Sequence, residues 1–263
     1  MLDRLVAAAR RRVAASREAW PQPALEKLAS LVPPPADLVE RLRAPGVQLI
    51  AEIKRRSPSR GDLRPDLDAG SQAVAYADGG AAALSVLTEP DYFGGSLADL
   101  EAARAALRRA RHNLPILRKD FLVDPYQVVE ARAHGAAAVL LIVAALTDGE
   151  LSALYAEACR WGLSALVEAH DSADLARALG LRPAIVGINS RNLRDLSVDP
   201  ASVERLRPLV PPGILVVAES GIGGPTDVHR LKDLGVQGML VGEALVRAPC
   251  PAALARDLVE AGR

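Results

Sequence analysis

Charged and amide side chains recur where apolar runs of this sequence end. The run VQLIAEI, from Val47, already carries Glu52 and is followed at once by Lys54. Side chains two apart on a strand share a face, so Glu52 and Lys54 point the same way. Later runs end on Arg118-Lys119-Asp120, on Glu168, on Asn189 followed by Arg191 and Asn192, on Glu219-Ser220-Gly221, and on Gly242-Glu243. Burying an unpaired charge costs several kcal/mol. A salt bridge within the molecule explains one such residue as well as a functional role does. A whole set of them at strand ends needs a common reason, and a polar mouth for a small anionic substrate supplies it. Lysines held near carboxylates acquire shifted pKa values and suit acid–base chemistry.

The late sequence adds an anion signal. AESGIGGPTDVHRL reads as strand, Gly-rich turn and helix, and GMLVGEAL repeats the pattern. Glycines let the backbone approach a ligand, and N–H groups at helix starts favour an anion. Tight turns alone would also explain either segment; the pair at consecutive strand ends points to phosphate. Ser57 is placed to add a hydroxyl from the first loop.

These residues need elements to hold them. Eight short apolar runs begin at Val47, Ala82, Pro115, Ala137, Leu163, Ala184, Ile214 and Gly238. Near-continuous apolar runs suit strands buried on both faces of a parallel sheet. Between them lie SLADLEAARAALRRA, DPYQVVEARAHG, TDGELSALYAEACRWG and SADLARALG, which have helical period, open on Ser, Asp or Thr, and in several cases close on Gly. The expected class is α/β, a (β/α)8 TIM barrel whose C-terminal strand ends build the site. An open doubly wound sheet is the alternative; no GxGxxG after the first strand supports it. Residues 1–263 are expected to form a single barrel domain, with residues 1–46 as an N-terminal helical extension packed over one end. The run Arg10-Arg11-Arg12 is expected to be a solvated helix face.

Composition narrows the partners. With 32 cations against 32 anions, the net charge is zero, whereas nucleic-acid binders carry a basic excess. Aromatic residues make up only 3%, too few for base-stacking platforms. Cys159 and Cys250 form no CxxC, and His112, His134, His170 and His229 show no ligand spacing, so no metal site is expected. No apolar run reaches the ~20 residues that span a bilayer. The first twenty residues hold Asp3 and no apolar signal core, so no signal peptide is expected. A cytoplasmic protein, monomeric or weakly homo-oligomeric, with neither nucleic acid nor membrane as partner, is the consistent expectation.

The ordered segments AEIKRRSPSRG, SVLTEPDYFGGS, ILRKDFLVDPYQVVEAR, LVEAH, INSRNL, VAESGI and LVGEAL resemble the indole-3-glycerol-phosphate synthase family from about residue 3 to 260. EIKRRSPS and LRKDF are the specific ones; the Gly turns are shared with other phosphate-binding barrels. The resemblance implies conversion of 1-(2-carboxyphenylamino)-1-deoxyribulose 5-phosphate to indole-3-glycerol phosphate, carbon dioxide and water, with no metal or organic cofactor. It implies Lys119 as principal general acid, Lys54 as substrate-orienting, and Glu168 as an acid/base in loss of the hydroxyl. The division of proton transfer between the lysines stays open. Glu52 would position the lysines, Asn189 would donate a hydrogen bond to substrate, and Glu219 and Arg191 would support the site. Phosphate would meet Ser57 and the N–H groups around Ser220, Gly221, Gly242 and Glu243. Some relatives carry Ser at the last position; a Glu there offers only its N–H, and its carboxylate must turn away. Phe93, Phe121 and Leu141 are expected to wall the anthranilate ring. RRSPSRG reads as a mobile loop closing over the site, with the roles of Arg55, Arg56 and Arg60 open. A phosphoribosylanthranilate isomerase would want an Asp/Cys pair, yet Cys159 falls inside a helix and Cys250 beyond the last strand. A catalytically silent scaffold would show an eroded polar rim, and this rim is intact.

Overall fold

The computed structural model describes residues 1–263. Each of the eight apolar runs forms one strand: β1 (Gln48–Ile53), β2 (Ala83–Leu87), β3 (Ile116–Lys119), β4 (Ala138–Ile142), β5 (Ser164–Ala169), β6 (Ile185–Asn189), β7 (Leu215–Glu219) and β8 (Gly238–Val241). All pair in parallel, and β1 bonds both to β2 and to β8, so the sheet closes and the open-sheet alternative falls. Residues such as Ile50, Leu84, Leu166 and Val217 are fully buried because barrel strands are covered on one face by one another and on the other by helices.

The helix starts follow from side-chain chemistry. Ser96, Asp124 and Asp171 accept backbone N–H groups of the first turns of Leu97–Arg109, Pro125–Ala133 and Ser172–Gly180. Thr147 and Glu150 form a reciprocal capping box on Asp148–Arg160. After β6 the chain makes the short helix Ser202–Leu206 and a 3-10 turn, Arg207–Leu209, preceded by a loop that carries Arg191 to the site.

The extension contains α1 (Leu2–Ala19), α2 (Gln22–Leu31) and α3 (Leu38–Leu42). It was expected over one end of the barrel; it reaches both. Leu5 of α1 lines the cleft at the C-terminal mouth, α2 packs on the helix Pro125–Ala133, and Leu42 of α3 lies against Gly238 at the start of β8. The expected solvated face of Arg10–Arg12 is corrected at Arg12 alone. Arg10 and Arg11 are exposed, Arg10 with Glu150 at 2.7 Å, but Arg12 is half-buried and pairs with Glu89 and Asp120 at 3.1 and 2.8 Å. The apolar spacing that marks the buried face of a helix says nothing about partners at its border.

Candidate active site

The strand register gathers the rim residues. Glu168 of β5 lies opposite Ile142 of β4 and Gly187 of β6, while Glu219 of β7 lies opposite Asn189 and Leu240. Lys119 ends β3, and Lys54 directly follows β1. Their side chains converge in one cleft of about 1020 Å³, open solvent included. Lys119 Nζ lies 2.5 Å from Glu219 Oε2 and 3.1 Å from Glu168 Oε2; Lys54 Nζ lies 2.7 Å from Glu52 Oε1. Two ammonium groups thus face three carboxylates.

The electrostatics follow from that count. Burial alone would depress the Lys119 ammonium, but Glu219, then Glu168 and Glu52, outweigh it and hold its pKa above the ordinary lysine value. Burial pushes the Glu219 carboxyl up to about 8; Lys119 opposes that shift and the Glu168 charge adds to it. Glu219 therefore keeps its proton to a higher pH than an ordinary carboxyl does. Its Oε1 is buried without a hydrogen-bond partner.

Two glycines make room for this cluster. A Cβ on Gly187 would lie 2.3 Å from Glu219 Oε1, and one on Gly242 would lie 2.3 Å from Glu52 Oε1. Both glycines occupy strands or strand ends where the carboxylate of a neighbouring strand crosses the backbone.

The other end of the cleft presents hydroxyl and backbone groups. Ser57 Oγ is buried and unpartnered. Ser220 and Gly221 take successive positive φ values of 67° and 77°, a costly conformation for a non-glycine residue and one that clusters at functional sites. The Glu243 carboxylate is engaged by Arg60 at 3.2 Å and Arg247 at 3.4 Å. Asn189 Oδ1 accepts the Arg191 N–H at 2.9 Å, which orients the amide while its NH₂ is free to donate. Arg191 lines the same cleft and donates to the Leu196 carbonyl.

Phe93 and Phe121 lie 6.3 Å apart, tilted by 37°, and both line the cleft. Leu141 does not. Parallel-strand partners point the same way, and the register pairs Ile142 with the inward Glu168 and Leu141 with Val167. The two-residue period of a strand therefore turns Leu140 and Ile142 into the cleft and Leu141 away from it, toward the helix layer. Sequence alternation alone could not tell the faces apart, because all of AVLLI is apolar.

The segment RRSPSRG, expected to close over the site as a loop, forms a small hairpin. Arg56 and Ser57 pair with Asp62 and Gly61. Arg55 holds it down with a fork onto Asp99, both bonds 2.7 Å, and Arg56 donates to the Asp91 and Tyr92 carbonyls. Leu5, Asp120, Leu193, Leu196 and Ile222 also line the cleft and were not anticipated. Asp120 alone had a signal, its place beside Lys119. No group of three or more His, Cys, Asp or Glu side chains is arranged to hold a metal ion, and both cysteines are exposed and unpaired.

Fold and cleft define a (β/α)8 barrel whose C-terminal mouth holds a lysine–carboxylate cluster. Solved structures share the fold: 3-hexulose-6-phosphate synthase from Salmonella typhimurium is 16% identical with a TM-score of 0.63, covering 82% of this chain and 98% of that one. KGPDC from Streptococcus mutans is 14% identical with a TM-score of 0.64, covering 82% and 96%. At such identities the likeness shows architecture only. The sequence model of indole-3-glycerol phosphate synthase matches residues 2–258. Indole-3-glycerol phosphate synthase of Parafrankia sp. is 51% identical over 91% of this chain and 87% of its own length. That of Nocardioides sp. is 50% identical over 98% and 97%. The chain belongs to the indole-3-glycerol phosphate synthase family.

Proposed function

We propose that the cleft performs this family's reaction with Lys119, Lys54, Glu168, Glu52 and Asn189 as its catalytic groups. The protein is a carboxy-lyase of tryptophan biosynthesis that closes, decarboxylates and dehydrates a phosphosugar–anthranilate substrate. In ring closure the aryl carbon bearing the carboxylate attacks the ribulose carbonyl carbon. A new C–C bond forms and the carbonyl oxygen takes a proton from the Lys119 ammonium. Carbon dioxide then leaves, and its bonding pair restores the aromatic ring. The hydroxyl departs as water after accepting a proton, and the adjacent methylene gives one up to a base; Glu168, whose carboxylate lies 3.1 Å from Lys119 Nζ, is assigned to this acid–base step. Lys54 orients the substrate with Glu52 as its partner, and Asn189 donates from its amide.

Phosphate is assigned to Ser57 and to the N–H groups of Ser220, Gly221, Gly242 and Glu243. Arg191 and Glu219 complete the polar wall. Phe93 and Phe121 hold the aryl ring, with Leu140 and Ile142 in the part first given to Leu141. The reading includes action in the cytoplasm as a monomer or weak homo-oligomer, without nucleic acid or membrane as partner; the balanced net charge argues against nucleic acid, and no helix is long and apolar enough to cross a membrane.

The observation that carries this reading is the convergence of two lysines and three glutamates, from the ends of four different strands, on one cleft. The test is indole fluorescence after adding substrate to purified protein. Wild type is expected to produce the signal, and Lys119→Ala to lose at least about a hundredfold in kcat, as expected for a general acid. Silence from wild type removes the reading; near-normal turnover in the variant removes Lys119 from its role.

A further inference from the structure

Arg12 sits on α1, outside the residues that line the cleft, yet it touches the supports of both aromatic rings. Its Nη1 donates to Glu89 Oε1 at 3.1 Å and its Nη2 to Asp120 Oδ1 at 2.8 Å. Both acceptors are buried, with 0% and 2% of their side chains exposed. The Glu89 carboxylate accepts the backbone N–H groups of Asp91, Tyr92 and Phe93, and so shapes the turn that ends in Phe93. The same Asp120 oxygen that meets Arg12 also accepts the Phe121 N–H at 2.8 Å. One guanidinium from the extension therefore spans the two carboxylates that set the two rings. A planar fork with donors at fixed spacing suits this; an ammonium cannot hold both partners in one geometry.

We infer that Arg12 is a positioning residue for the aryl wall: it fixes Phe93 and Phe121 relative to one another and thereby the grip on the aromatic half of the substrate. This rests on the assignment of those rings to the aryl group above. The ring is held in the ground state and in the transition state alike, so loosening the wall acts on KM more than on kcat. Glu89 keeps its three backbone donors without Arg12, and Asp120 keeps Thr88 and Arg118, so the local fold has other support.

Steady-state kinetics of Arg12→Met and Arg12→Lys tests the inference, beside Arg10→Ala, Arg17→Ala and Phe93→Ala. Arg10 and Arg17 tie the same helix to the barrel through Glu150 and Asp124 and touch neither Glu89 nor Asp120. The expected result is a KM raised about tenfold in Arg12→Met, a smaller rise in Arg12→Lys, and kcat falling less than KM in both. Arg10→Ala and Arg17→Ala lower the unfolding midpoint with KM within about twofold, as exposed pairs should. Combining Arg12→Met with Phe93→Ala raises KM little beyond Phe93→Ala alone, since both act on one contact. Should Arg12→Met fail to fold, Arg12→Lys decides. A raised KM in Phe93→Ala with Arg12 variants at wild-type KM overturns the inference and leaves the aryl wall standing. An unchanged KM in Phe93→Ala removes the wall itself and the inference with it.

Discussion

Lys119 is the side chain on which most of the site depends, because its ammonium is shared by two buried carboxylates. Replacing it by Met leaves Glu168 and Glu219 facing each other with no cation between. The consequence is pH-dependent. A carboxyl whose folded pKa lies above its unfolded value binds its proton more tightly when folded, so its stabilising contribution is full below about 4.5 and is lost as pH rises toward about 8, the Glu219 value. Lys119 opposes that upward shift, and its removal enlarges it. Lys119→Met should therefore lose more of its unfolding midpoint relative to wild type at pH 8 than at pH 5. An equal deficit at both pH values would show that Lys119 does not govern these protons. Gly187 makes a related point about space. A methyl there meets Glu219 Oε1 at 2.3 Å and Leu166 Cδ1 at 3.3 Å. Gly187→Ala should cost roughly 1–3 kcal/mol by overpacking and lower kcat by moving Glu219 off Lys119. Urea unfolding and the indole assay would read both; a variant normal in each would show that the carboxylate has room to move.

The capped helices behave as units with their own chemistry. The capping box of Asp148–Arg160 is also where Arg10 of α1 docks. The Arg10 hydrogen bond, with the Thr147 N–H, holds the Glu150 carboxyl at about 2, well below the ordinary carboxylate range. A depressed pKa contributes stability that is present above the unfolded value of about 4.5 and lost as pH falls through the folded one. Glu150→Gln should therefore lower the midpoint at pH 6, by an amount equivalent to about 1 kcal/mol or less for so exposed a pair. The gap to wild type should narrow at pH 3. A gap that widens in acid would contradict the assignment. The same element shows how much was legible. Thr147 with Glu150 three residues on is a readable helix start, and so are Ser96 and Asp124. The partner of Arg10, 140 residues distant in the chain, was not readable, and the arginine run passed for a solvated face.

At the scale of the molecule, the extension joins the mouth to the base: α1 closes on the cleft through Leu5 while α3 packs beneath β8. We propose that residues 1–263 unfold as one cooperative domain. The two tryptophans report it separately, since Trp20 ends α1 and Trp161 follows the barrel helix Asp148–Arg160. Trp161→Phe and Trp20→Phe, each leaving one reporter, should give coincident denaturant midpoints once corrected for each substitution's own effect. Separated midpoints would split the extension from the barrel. The eight strands and the polar groups at their ends were fixed by local pattern. Apolar run length, cap residues and Gly turns act over a few residues, and the chemistry of Glu52, Lys54, Lys119, Glu168 and Asn189 is written in their types. Three things needed the closed barrel. Register decided that Leu140 and Ile142, and not Leu141, face the cleft, because an all-apolar strand carries no mark of its inner side. Inter-strand distance decided which carboxylate Lys119 meets at 2.5 Å and that a side chain at Gly187 would meet Glu219 Oε1. Long-range docking decided that Arg12 belongs to the aromatic wall, since an ion pair that joins residues about a hundred positions apart leaves no local trace in the chain.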